Sequence, residues 1–173
     1  TITRAEAKTE ALVYGDGKPV IDEKTKQQSI QTALILTGIA ENDDKERREA
    51  YSAGERVVPT PDGFGFVDKE TGGPPRFHAN SNIAKLAGAL KSSGYDIGTL
   101  WDTTARRQRF DRLVGARFMF KGEAKRGRDG KPFKDKKGYD KRAFLPVAFK
   151  GYVVGGLVTN GAALQQGPPS GNG

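Results

Sequence analysis

The apolar pattern changes period along the chain. Ser29 to Ile39, SIQTALILTGI, is aliphatic and β-branched with no breaker before Gly38, which predicts a strand. Glu41 to Arg47, ENDDKER, is a polar turn, and REAYSAG returns through Arg48 to Ser52 as the second arm of an antiparallel hairpin. Pro59, Pro61 and Gly63 break the chain before a third short strand that carries Phe64, Phe66 and Val67. After a Gly- and Pro-rich loop, the period becomes helical. Ile83, Leu86, Ala87 and Leu90 form one stripe, Ser81 or Asn80 is the N-cap, and Gly94 is the left-handed stop.

Asp96 to Leu113 reads as a second helix or a pair of turns, anchored by Leu100, Trp101, Phe110 and Leu113, with Arg106, Arg107, Arg109 and Arg112 on its other face. Two strands follow, RFMFK and AFLPVAF, joined by a long arm with turn-forming Gly122, Gly127, Gly130 and Gly138. Period-two alternation puts Phe118 and Phe120 on the core side of the first strand, and Arg117, Met119 and Lys121 on the other. In the second, Leu145, Val147 and Phe149 are expected to point inward. Pro146 cannot donate to a ladder and marks an edge or a bulge.

The amino end mixes Ala, Lys and Glu with a YGDGKP turn, and its spacing allows a short helix over Arg4 to Val13. The resulting division is an N-terminal arm at 1–27, a domain at 28–158 and a flexible, Gly- and Pro-rich tail at 159–173. Three strands, a helical region and two further strands match a small Greek-key barrel of the oligonucleotide-binding kind. The expected fold is therefore mainly β with one or two helices, a five-stranded barrel with a helical insertion between strands three and four.

Charge narrows the choice of function. The net charge is +8, but residues 101–142 hold fifteen Lys or Arg against six Asp or Glu, so the rest of the chain is close to neutral. A localised basic surface points to a polyanionic partner. The arm interleaves Phe133 and Tyr139 with Lys125, Arg126, Arg128, Lys131, Lys134, Lys136, Lys137, Lys141 and Arg142. Cations replace counterions on phosphates and flat rings stack on unpaired bases. Arg117 and Lys121 would line the floor of such a groove. The alternative for the arm is a solvated loop kept soluble by its charge. For the arginine cluster, a second phosphate face and a wet face paired with Asp102 and Asp111 are equally open.

The chain has no Cys, which excludes disulfides and thiolate chemistry. His78 has no His or Cys near it in sequence, so no metal site is expected. The ENDD segment lacks the spacing of a calcium loop. Nothing resembles a phosphate-binding loop or a nucleophile elbow, and Asp43 and Asp44 sit in a charged turn. The expectation is a non-enzyme without cofactor, small-molecule substrate or membrane contact. No apolar run is long enough to span a bilayer and no secretory signal is evident, which suggests a cytoplasmic setting, a cell's own or that of an infected host.

TALILTG with the returning YSAG, then NSNIAKLAGALKSSGYD, FDRLVGARFMFKG and KRAFLPVAF, resembles a group of small phage-encoded single-stranded DNA-binding proteins with an oligonucleotide-binding fold. The resemblance covers Ser29 to Gly151. It implies protection or presentation of single strands, DNA or RNA, in phage replication or recombination. Many bacterial single-strand binders end in an acidic tip, and GPPSGNG has no acid. The competing reading is a structural or assembly protein of a virion or large nucleoprotein particle. Self-association into a homo-oligomer is compatible with either.

Overall fold

The computed structural model describes residues 1–13, 17–125, 131–134, 138–154 and 157–159, with 154 and 157–159 as backbone only. β1 (Ile2–Ala11), β2 (Ile30–Ile39) and β3 (Glu46–Ser52) form an antiparallel meander in the order β1-β2-β3. The short helix allowed over Arg4 to Val13 does not form. Ala5 and Ala7 alternate with Glu6 and Lys8, so Ile2, Ala5 and Ala7 are buried while the charges face water.

β4 (Val57–Pro59) pairs with β5 (Phe66–Asp68), and α1 (Asn82–Ser92) follows. Ser81 caps α1 by accepting from the Ala84 N–H, and Gly94 at φ 91° ends it. The buried stripe is Ile83, Leu86 and Leu90, while Ala87 is exposed. The 96–113 region is a pair of turns, two 3-10 segments at Ile97–Leu100 and Phe110–Leu113 that flank a minimal hairpin of β6 (Trp101–Asp102) and β7 (Arg107–Gln108). Its anchors Leu100, Phe110 and Leu113 are buried. β8 (Ala116–Ala124), β9 (Arg142–Val154) and β10 (Leu157–Thr159) form a second meander.

The architecture is mainly β with one α-helix, and among the described residues no sheet closes into a barrel. The expected five-stranded closure fails at an identifiable place. β9 approaches β3, but the Phe144 C=O accepts from the Tyr51 hydroxyl, and the Phe144 N–H faces the Glu49 carboxylate and favours its charged form. The Tyr51 side chain thus takes a backbone carbonyl that a β3–β9 ladder would need. Near the other end of β9, the Phe149 N–H bonds the Ser93 C=O at the end of α1, 2.8 Å away. Just before β8, the Gly115 N–H bonds the Ile2 C=O at 2.8 Å and ties this segment to β1.

Two irregularities bend the β8–β9 pair. One adjoins Gly151, at φ 90°, and the other leaves Val147 without a cross-strand partner, so Phe120 pairs with Pro146. Pro146 therefore sits in a bulge. Leu145 and Phe149 pack against the core as expected, but Val147 is exposed because the extra residue breaks the alternation. Phe118 packs inward, whereas Phe120 lies at the edge of solvent.

One aromatic group joins the second meander to the helix. Tyr95, just past α1, meets Phe149 edge-on at 5.2 Å, Phe118 at 5.6 Å and Tyr152 at 6.4 Å between centroids. The Tyr152 hydroxyl also donates to the Tyr95 hydroxyl at 2.9 Å. Tyr51→Phe leaves the half-buried Phe144 carbonyl without its donor. It is expected to cost about 1–3 kcal/mol in denaturant unfolding, and a variant as stable as the parent would disprove the account of the seam.

Candidate nucleic-acid interface

The expected site residues divide into groups. Arg126, Arg128, Lys136 and Lys137 lie outside the described residues. Arg117 stands at the opposite end of β8 from the arm, with Nε and Nη2 each 2.7 Å from Glu41 Oε1. Its side chain is 19% exposed, and that hydrogen bond holds the Glu41 carboxyl below its ordinary range. Arg117 is a frame residue in this geometry.

The base of the arm is built from three passes of chain. The Lys125 N–H bonds the Lys141 C=O, the Phe133 N–H bonds the Lys125 C=O, and the Lys141 N–H bonds the Phe133 C=O, at 2.7, 2.8 and 2.7 Å. Lys134 pairs with Asp140 across an isolated bridge. This brings together residues that the sequence spreads over seventeen positions, Lys125 to Lys141. Lys131, Phe133, Lys134, Tyr139, Lys141 and Arg142 are all exposed. Lys134, Gly138, Tyr139, Asp140 and Arg142 line an open depression of about 390 Å³, the size of a small-ligand cleft.

Two residues outside the expected set complete this surface. Gly122 faces Phe144 across the ladder, and a Cβ on Gly122 would lie 3.2 Å from the Phe144 ring and 3.3 Å from Arg142 Cδ. The ring and the arginine stem therefore lie over the bare backbone of Gly122. By register, Phe120, Gly122, Ala124, Arg142, Phe144 and Pro146 share one face, where Phe120 is 36% and Phe144 46% exposed. Phe118 and Phe120 are in edge contact at 6.0 Å, so an aromatic series runs from the core around Tyr95 out to this face. The signal for Phe144 was its position in KRAF beside the arm. Placing Leu145, Val147 and Phe149 inward implies that Phe144 falls on the other face, a face of the strand to which the sequence reading assigns no role.

Electrostatics sharpen the contrast between the two basic regions. Arg109 is bidentate to Asp111 at 2.8 and 2.6 Å and lies over the Phe64 ring at 5.2 Å. Arg107 pairs with Asp62 at 2.6 Å, and Arg112 donates to the Thr99 C=O at 2.7 Å. Arg107, Arg109 and Arg112 are thus paired with carboxylates close to them in the fold, Asp62, Asp102 and Asp111. In the arm, Lys134–Asp140 at 2.8 Å is a solvent-exposed pair of small worth. Lys121, Lys141 and Arg142 form no ion pair with a described residue. The field of the protein is therefore concentrated on the arm and its flank.

Glu49 joins this surface to the frame. Its carboxylate lies against the Phe144 N–H and 3.7 Å from Lys125 Nζ. Burial pushes the Glu49 carboxyl above its ordinary range, against the pull of Lys125 and the Phe144 N–H.

No helix among the described residues is long and apolar enough to cross a membrane. Among the same residues, no cluster of His, Asp and Glu could hold a metal ion, and the His78 ring accepts the Asn80 N–H at 3.2 Å. Comparison with family models, curated proteins and solved structures finds no match.

A carboxyl whose pKa is raised on folding supports the folded state fully below its unfolded value, near pH 4, and loses that support as pH rises through the folded value. Glu49→Gln keeps an acceptor for the Phe144 N–H and removes the titration. Its stability relative to the parent is expected to grow between about pH 4 and pH 7. A gap in melting temperature that stays flat or narrows over that range would contradict the assignment.

Proposed function

We propose that the protein binds single-stranded nucleic acid, largely without regard to sequence, in the groove between the arm and the face of Phe120, Gly122, Phe144 and Arg142. A single observation carries this reading. Exposed rings and cations are interleaved at one place, with Phe144 and Arg142 over Gly122 beside the depression of Lys134, Tyr139 and Arg142. An unpaired strand presents phosphates and base faces together, and this surface offers a partner for each.

Lys121, Lys125, Lys131, Lys134, Lys141 and Arg142 would contact phosphates, while Phe133, Tyr139 and Phe144 would stack on bases. Every base has a ring face and every nucleotide a phosphate, so sequence preference is slight. In this proposal the two meanders and α1 act as an oligonucleotide-binding frame whose β3–β9 seam is held by side chains. The bases of a duplex are already stacked on one another, so double strands should bind more weakly. A role in phage replication or recombination is the biological setting that fits this chemistry and the sequence resemblance.

Fluorescence anisotropy with single- and double-stranded oligonucleotides tests the reading. If about five phosphates are neutralised at roughly −0.7 per contact, single-strand affinity falls about a hundredfold between about 50 and 200 mM salt. Phe144→Ala is expected to cost about 1–3 kcal/mol of binding, roughly 5- to 150-fold, while circular dichroism stays unchanged because the seam uses only the Phe144 backbone. Binding that ignores salt, or a duplex preferred over a single strand, would overturn the proposal.

A further inference from the structure

The β1–β2 and β8–β9 hairpins are two copies of one plan. At the arm root of the first, the Leu12 N–H bonds the Ser29 C=O, the Val20 N–H bonds the Leu12 C=O and the Ser29 N–H bonds the Val20 C=O, at 2.8, 2.9 and 2.7 Å. These are the same three bonds in the same order as those among Lys125, Phe133 and Lys141. Both arms carry Asp-Gly-Lys-Pro, at Asp16 to Pro19 and at Asp129 to Pro132, and counting back from these, Lys8, Glu10 and Ala11 align with the identical Lys121, Glu123 and Ala124. Thr9 then corresponds to Gly122, and their ladder partners, Thr32 and Phe144, correspond to one another.

The first hairpin is an internal control for the second. Thr9 and Thr32 stand opposite each other with their hydroxyls hydrogen-bonded at 2.9 Å, so the ladder forms at this position without a glycine. The backbone does not call for one either, because Gly122 is not among the residues at positive φ. Glycine weakens a strand interior, since it has no side chain to pack and loses the most backbone freedom. What remains is the close approach from across the ladder. A Cβ on Gly122 would meet the Phe144 ring at 3.2 Å and Arg142 Cδ at 3.3 Å, inside the roughly 3.5–4.0 Å of favourable carbon contact.

We propose, on the single-strand reading of this groove, that Gly122 is a positioning residue: the space left by its missing side chain seats the Phe144 ring and the Arg142 stem side by side, so that one nucleotide meets a stacking face and a guanidinium together. The ring lies against bare backbone on one side and is 46% exposed, which leaves a face for a base. Arg142 has no ion pair with a described residue, so its guanidinium is open to a phosphate. The first hairpin has Thr32 and Ile30 in place of Phe144 and Arg142, and offers neither group.

A ring laid across a glycine also steadies the strand pair itself, so the test reads binding in two backgrounds. Fluorescence anisotropy with oligothymidylate compares the parent, Gly122→Ala, Phe144→Ala and the double variant. Gly122→Ala is expected to weaken binding about fivefold or more, the lower end of a base-stacking contribution. Its melting temperature should stay close to that of the parent, because both displaced side chains are exposed. In the Phe144→Ala background no ring remains to be displaced and the Arg142 stem has room to move aside, so the same substitution should change affinity by less than about twofold. Gly122→Thr/Phe144→Thr, which installs the pair of the first hairpin, should fold like the parent and bind as weakly as Phe144→Ala, and it serves if Gly122→Ala misfolds. Without ligand, the Gly122 Hα resonances should carry a ring-current shift that Phe144→Leu removes.

A parent that binds no single strand overturns the reading of the groove. A parent that binds, with Gly122→Ala binding equally well or losing equally in both backgrounds, overturns the positioning role and leaves that reading standing. Gly122→Thr/Phe144→Thr binding like the parent, or Hα resonances that Phe144→Leu does not move, would do the same.

Discussion

The backbone of Phe144 is the point on which the arrangement depends. Its N–H and C=O face β3, and an unpaired strand edge next to another sheet either forms a ladder or leaves polar groups without partners. Here the Tyr51 hydroxyl donates to the C=O, and the Glu49 carboxylate lies against the N–H. The two meanders are therefore joined by side chains at this seam. The Phe144 ring meanwhile rests over Gly122, on the face that also carries Arg142. One residue thus binds the frame with its main chain and presents a ring with its side chain.

The rest of the frame keeps that seam in place. Tyr95 packs against Phe118, Phe149 and Tyr152, and the Phe149 N–H is bound to the end of α1. The β8–β9 pair is consequently tied to the end of α1 and to the aromatic group around Tyr95. Electrostatics follow the same division. The Arg107, Arg109 and Arg112 cluster is consumed by Asp62, Asp102, Asp111 and the Thr99 carbonyl, so it holds short turns together. The arm has fewer carboxylates than cations, and Lys121, Lys141 and Arg142 remain without ion-pair partners among the described residues.

Where reasoning from the chain failed, the cause was an interruption of a simple period. Alternation predicted Phe120 and Val147 to be buried; an extra residue in β9 exposes Val147, and Phe120, on the same side of β8 as Phe118, lies at the edge of solvent. Pro146 was a visible warning of a bulge, but no local rule says which neighbour a bulge turns outward. Arg117 shows a second kind of failure. Its place in the alternation with Lys121 suggested a groove, yet Glu41, distant in sequence, captures it. The first strand was obscured by helix-forming Ala, Glu and Lys, whose weak propensity gives way once Ala5 and Ala7 are packed against β2 and the core.

Local chemistry alone was enough for the elements whose signals are short-range: the β2–β3 hairpin, the Ser81-capped helix with its Gly94 stop, the two strands flanking the arm, and the concentration of charge within the arm itself. Propensity, capping and composition act over a few residues, so they can be read along the chain. The side-chain seam at Phe144, the neutralised arginines, the ring over Gly122 and the likeness of the two arms depend on residues far apart in sequence. Only tertiary structure could decide these, because a hydrogen bond or an ion pair is set by which groups folding brings within about 3 Å, and not by the identity of either group alone.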